Sequence, residues 1–280
     1  MVFDTFLNSP SIHFNRYTVH NKEFERMVVM RAPQEILDVW HLFDDKPMDT
    51  VMKLWWSKQP KGGGQRNVSL IKEHYANYRV AGNCVDLSLW LIEEFRNKGI
   101  EAYGIADDLN AERAHVAVIA VDQDGNKYLC DLGDQWIQPI LINENLEPSE
   151  KWLSGYFPAA KVKLETTGHK TKLLFQRPNG KVSSSIFNTA PLKDDFLWDL
   201  SEKVQLVFRK SPLIEIRLPL KDEVAHWEFD NWTSFLSTSE KLTKEDSDLS
   251  LDDWVQRIHT MTGMNKEFLD EALRYYKELE

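Results

Sequence analysis

Cysteine is nearly missing from this chain: 280 residues carry two, Cys84 and Cys130. A disulfide scaffold is therefore excluded, and the expectation is a cytoplasmic protein whose thiols stay reduced. No run of about eighteen apolar residues occurs, and the opening MVFDTFLNSPSIHF shows no basic stretch followed by an apolar one, so neither a membrane span nor a secretory signal is expected. Positive charge is in deficit. A formal net charge of −10 repels phosphate backbones and argues against nucleic acid as a partner. Internal repeats and long low-complexity tracts are absent as well. Gly62, Gly63 and Gly64 suggest a phosphate cradle, but no strand precedes them and no Gly-Lys-Ser/Thr follows, which leaves a loop.

What is present suits a globular chain with a sizeable core: 42% hydrophobic residues, including ten tryptophans. Periodicity changes along it. Apolar residues recur at helical spacing up to about Lys98, as in Ile36, Leu37 and Trp40 or Leu87, Leu91 and Phe95. From Ile100 the period shortens, and runs such as AHVAVIAV, KYLCDL, KVKLET and TKLLFQ are separated by the turns DQDGN, TTGH and RPNG. After Pro191 the pattern mixes: a helix from Leu192 to about Phe208, the strands LIEIRLPL and VAHWEFD, an exposed polar loop STSEKLTKEDSDLSLDD, and two closing helices. The strands could form a lid, but are expected rather to complete the core, and the closing helices to pack together rather than to read DNA. Three regions follow: a helical 1–99, an antiparallel sheet or barrel over 100–190, and a mixed 191–280, an α+β architecture.

The stretch AGNCVDLSLWLIEEFRNKGI marks both ends of one helix. Asn83 is a favoured N-cap, with Asp86 three positions on to complete a capping box; Arg96 and Lys98 close the last turn before Gly99. Cys84 is then the first helical residue. Unpaired N–H groups of a first turn favour a thiolate and can bind an oxyanion, which makes Asn83 and Val85 the candidate donors. A lone cysteine in an apolar helix is also ordinary packing, so its standing depends on partners.

His115 opens the apolar strand HVAVIAV, and Asp131 ends the next one, KYLCDLG. A histidine takes a thiol's proton, and a carboxylate holds the histidine's tautomer. An odd number of loop residues between the strands would put Asp131 on the face of His115, one diagonal step away; an even number would put it on the other face. Cys130 lies inside its strand, away from any helix start, and is expected to be an inert packing residue.

In this order, Cys84 in RVAGNCVD, His115 and Asp131 in YLCDLG, the chain resembles the transglutaminase-like, papain-related cysteine superfamily, and within it the arylamine N-acetyltransferases. The resemblance covers Arg79 to Gly133 and implies a cysteine-proteinase-like fold. It also implies an acyltransferase in which Cys84 carries the acyl group, His115 is the base and Asp131 orients it. It further implies acetyl-CoA or another acyl-CoA as donor, an arylamine or hydrazine as acceptor, and no metal. Trp136 is the candidate substrate contact. The chain departs from the family's Arg-Gly-Gly-x-Cys-x-Glu pattern: Arg79 stands one position too far away, Gly82 is the sole glycine of the pair, and Asp86 replaces the glutamate. Asp134 and Gln135 replace the aromatic residue and second glycine that usually follow the Asp-x-Gly stretch. Two other readings fit the same residues. One is a transglutaminase-like amidase or cysteine peptidase; the other is a non-catalytic binding module with Trp136, Trp90 and Tyr128 lining a pocket. Oligomeric state is not legible.

Overall fold

Buried apolar residues at helical and then alternating spacing organise the chain into helices packed on two antiparallel sheets. The computed structural model describes residues 31–142, 152–245 and 248–279, which from Ala32 onward belong to one compact unit. Its helices begin with α1 (Gln34–Trp40), α2 (Val51–Ser57), α3 (Val68–Tyr78) and α4 (Cys84–Asn97). The larger sheet follows, from β2 (Glu101–Ala106), β3 (Val116–Val121), β4 (Lys127–Cys130) and β5 (Ile140–Leu141) to β6 (Leu153–Phe157), β7 (Ala160–Thr167), β8 (Lys170–Gln176) and β9 (Val182–Asn188). Its strands run in the order β5-β4-β3-β2-β9-β8-β7-β6, every pairing antiparallel.

After α5 (Asp194–Gln205) come β10 (Leu213–Pro219), β11 (Val224–Asp230), β12 (Thr233–Ser237) and β13 (Leu242–Lys244), then α6 (Leu251–Thr262) and α7 (Lys266–Lys277). The early β1 (Met48–Asp49) joins this second sheet, in the order β1-β10-β11-β12-β13. The architecture is α+β: mainly helical from Gln34 to Asn97, then an antiparallel sheet and a mixed C-terminal part; residues 1–30 of the expected helical region lie outside the described residues. Among the described residues, no helix is long and apolar enough to cross a membrane.

The polar segment from Ser237, expected to be a loop, contributes β13, because Phe235, Leu236 and Ser237 pair with Lys244, Thr243 and Leu242. Its three β13 residues, Leu242, Thr243 and Lys244, are all exposed, so no buried alternating pattern marks the strand. The expected cap does close the segment, the Ser250 side chain accepting from the Asp253 N–H. The closing helices bury Trp254, Val255, Ile258, Phe268, Ala272, Leu273 and Tyr276 in one core with Val51 and Trp55 of α2, as expected for helix packing.

β11 shows what the second sheet is for. Ala225, Trp227 and Phe229 are buried while His226, Glu228 and Asp230 alternate with them. Period two sends the first set into the core and the second to the opposite face. The strand completes the core, as expected, and its other face walls a cleft.

Candidate functional site

Helix α4 presents Cys84 as its first residue, and its N-terminus is capped as the sequence predicts. Asn83 Oδ1 accepts from the N–H groups of Val85 (3.0 Å) and Asp86 (3.2 Å), and Asp86 Oδ2 accepts from the Asn83 N–H (3.1 Å). This has a consequence for the expected oxyanion donors. The N–H groups of Asn83 and Val85 are both taken up by the capping box, so neither is free for a ligand. The capping box bonds the N–H groups on either side of Cys84 but not Cys84's own, which remains the first-turn donor available to an oxyanion.

Beneath the cap lies a buried polar support. Arg66 Nη2 stands 3.0 Å from Asp86 Oδ2, each side chain 2% exposed, and also donates to the Ala81 carbonyl (3.1 Å). Gln65 Nε2 donates to Asp86 Oδ1 (2.8 Å). Asp49 accepts from the Gly82 N–H (3.0 Å) and the Met52 N–H (2.8 Å); burial, partly offset by these bonds, pushes its carboxyl up to about 6. Gly82 has φ +104, and a Cβ there would overlap Asp86 and Arg66, so glycine is required on both counts. Arg66, Gln65 and Asp49 went unread in the sequence because each lies far along the chain from the helix it supports.

His115 directly precedes β3, its N–H bonded to Asp107 Oδ1 (2.8 Å), and Asp131 directly follows β4. Val121 pairs with Lys127, so the intervening loop is 122–126, an odd number. Asp131 thus falls on the face of His115, one diagonal step away, and its Oδ2 lies 2.8 Å from His115 Nε2. Asp131 is fully buried and also accepts from the Asp134 N–H (3.0 Å). Burial by itself depresses His115, but the charges of Asp131 and Asp134 and hydrogen bonds with Asp131 and Cys84 outweigh it, and the ring is held well above its usual 6.5. With Nε2 committed to Asp131, Nδ1 is the nitrogen left for the thiol.

Gly133 shows how tightly the three meet. A Cβ at this position would stand 2.5 Å from Cys84 Cβ and 2.6 Å from His115 Cε1. Gly133→Ala is therefore expected to push Cys84 and His115 apart and to slow alkylation of Cys84 by a thiol-reactive probe about 100-fold, the effect of an ångström-scale misplacement. Its thermal midpoint should stay close to that of the parent; alkylation kinetics beside a melting curve checks this.

Cys84 is half-buried, while Cys130 is buried, with burial pushing its thiol up. Trp136 is fully buried, packed edge-on against Phe157 and Phe175 (centroids 5.6 and 6.0 Å); Trp90 and Tyr128 are buried too. None of these three lines the cleft of about 920 Å3 that opens beside the histidine. Its residues are instead Asp134, with Oδ1 3.7 Å from His115 Nε2, Phe157 and Phe175, the acids Glu215, Glu228 and Glu240 with His226, and the cations Arg177, Lys181 and Lys241. Large aromatic residues fill cores wherever they fit, so tryptophan by itself is a poor pointer to a pocket. His115, Asp131 and Asp134 each offer a ligand atom within 4.8 Å of the others, a spacing that could hold a cation.

No protein-family model matches the chain, and no curated protein matches it in sequence. Solved structures do. A cysteine-to-glutamine variant of the Mycobacterium smegmatis arylamine N-acetyltransferase aligns with TM-score 0.66 at 15% identity, over 88% of this chain and 91% of that one. The M. tuberculosis enzyme aligns with TM-score 0.66 at 14% identity, over 92% and 99%. The M. marinum enzyme in complex with CoA aligns with TM-score 0.63 at 13% identity, over 83% and 86%. The chain has the fold of the arylamine N-acetyltransferases.

Proposed function

We propose that the chain is a cytoplasmic cysteine acyltransferase that moves an acetyl group from acetyl-CoA to an arylamine or similar amine through an acyl-Cys84 intermediate. The observation that carries this reading is the meeting, over Gly133, of a helix-capped Cys84 with a His115–Asp131 pair, in a fold it shares with arylamine N-acetyltransferases.

His115 Nδ1 takes the Cys84 proton, and the sulfur attacks the thioester carbonyl of the donor. The Cys84 N–H, oriented by the cap before substrate arrives, donates to the developing oxyanion. Collapse expels the CoA thiolate, which recovers the proton from His115 and leaves acetyl-Cys84. An amine then attacks this thioester with His115 as base; the C–N bond forms, the C–S bond breaks, and the thiol is restored. Asp131 keeps the Nε2 proton in place throughout. Arg177, Lys181 and Lys241 line the cleft and suit the phosphates of a CoA donor.

The test is the intact mass of the protein after brief exposure to acetyl-CoA. One acetyl adduct, absent from Cys84→Ala, is expected. If no adduct forms while Cys84 alkylates rapidly, the amidase or peptidase reading replaces this one.

A further inference from the structure

Two carboxylates face one nitrogen of His115. Asp131 Oδ2 lies 2.8 Å from Nε2, and Asp134 Oδ1 lies 3.7 Å from it. The first distance is a hydrogen bond; the second is too long for one, so Asp134 acts on the ring as a charge. Their surroundings differ as well. Asp131 is fully buried, whereas the Asp134 side chain is 41% exposed and lines the cleft. The bond to Asp131 already fixes the tautomer of the ring, which leaves the second carboxylate without a part in the Cys84, His115 and Asp131 triad.

The turn that carries Asp134 is held from several sides. The Asp134 N–H donates to Asp131 Oδ1 (3.0 Å), and Gln135 takes φ +55, a left-handed conformation that a residue other than glycine keeps where its surroundings fix it. Gln135 is fully buried: its Oε1 accepts from the Arg217 N–H of β10 (3.2 Å), and its Nε2 donates to the Leu132 carbonyl (2.8 Å). Arg217 Nη1 donates to the Trp136 carbonyl. The chain is thus tied to β10 at Gln135 and Trp136, directly after Asp134, and the carboxylate is kept beside the ring.

We propose that Asp134 is a second positioning residue for His115: from the cleft side of Nε2 its carboxylate stabilises the imidazolium that forms when Nδ1 takes the Cys84 proton. Asp131 sets which nitrogen carries the proton at rest, and Asp134 sets how tightly the ring holds a second one. The step it serves rests on the acyltransfer reading. Around His115 stand Cys84 of α4, Asp107 after β2, whose carboxylate accepts from the His115 N–H, and the two carboxylates after β4; Phe187 of β9 packs edge-on against the ring (centroids 5.8 Å). Asp134 in turn faces Glu215 of β10 and His226 of β11. Burial, with the charges of Asp131 and Glu215, raises its carboxyl against the opposing pull of His115 and His226.

The readout is the His115 ring, followed by NMR through a pH titration of the Cys84→Ala protein and identified by the loss of its resonance in His115→Gln. An opposite charge this close favours the charged ring, so Asp134→Asn should weaken proton binding by His115 about tenfold, a fall of about one pH unit in its midpoint. Glu240→Gln, which removes another negative charge of the cleft, should leave that midpoint in place. With Cys84 present, the alkaline limb of acetyl-Cys84 formation should move to lower pH by a similar amount in Asp134→Asn. The substitution keeps the shape of the side chain, and a thermal midpoint close to the parent's checks the fold. A His115 midpoint that does not move in Asp134→Asn would overturn the proposal, as would an equal fall in Glu240→Gln. The titration involves no acyl transfer, so the two readings fail separately: a protein that forms no acetyl-Cys84 while His115 responds to Asp134 loses the acyltransferase and keeps the charge beside the ring, and the converse result keeps the enzyme and removes Asp134 from it.

Discussion

Asp131→Asn is expected to lower kcat for acyl transfer by about 10⁴-fold, the scale set by the same change in hydrolytic triads. Asp131 accepts from His115 Nε2 at 2.8 Å and is fully buried. An asparagine there can offer its N–H2 instead, which turns Nε2 into an acceptor and moves the ring proton to Nδ1. The nitrogen facing Cys84 then holds a proton and cannot take the thiol's. Rate of acetyl-Cys84 formation by mass spectrometry reads this step directly, and a loss below tenfold would remove Asp131 from the mechanism.

The same substitution has a signature in stability. His115 is held well above its ordinary 6.5 in the folded protein, the carboxylates and the bond with Cys84 overcoming the opposing effect of burial. The folded state therefore binds the ring proton more tightly than the unfolded one does. That contribution is fully present below about pH 6.5, the unfolded value, and is lost as pH rises through the higher folded value. Denaturant midpoints of the parent protein should fall across that window, and Asp131→Asn should flatten the slope.

Removing one partner of the Arg66–Asp86 pair is expected to be the most damaging change to stability. Both side chains are 2% exposed and 3.0 Å apart, and breaking a buried pair from one side costs about 3–5 kcal/mol because a charge is left stranded. Asp86→Ala also strips the capping box from α4 and a bond from Gln65, placing it at the upper end. Arg66→Met with Asp86→Leu removes both members of the pair, leaves the buried Asp49 without the attracting charge of Arg66, and should cost less than Asp86→Ala alone. Urea melts of the three variants check the order; a double variant that is the least stable would contradict it.

Some of this site was legible along the chain because its signals are local. Asn83, Cys84 and Asp86 fall within one turn, so the cap could be read from spacing. His115 and Asp131 belong to adjacent strands, so their meeting depended on one parity, and the loop 122–126 settles it. The acids of the cleft were invisible: Glu215 and Glu228 sit on strands read for their apolar alternation, and Asp134 stood out merely as a departure from a pattern. Trp136, chosen for its type, is buried behind the two phenylalanines that line the cleft.

By itself, the sequence determined the class of fold, the helix start that carries Cys84, and the strands that carry His115 and Asp131, because caps, periods and hairpins are encoded within a few residues. Tertiary structure alone decided that Gly133 leaves room for both Cys84 and His115, and which charges line the cleft. These depend on strand register and on contacts such as Arg66 with Asp86 and Asp134 with His115, where the packing of whole elements, and not local propensity, sets the distance.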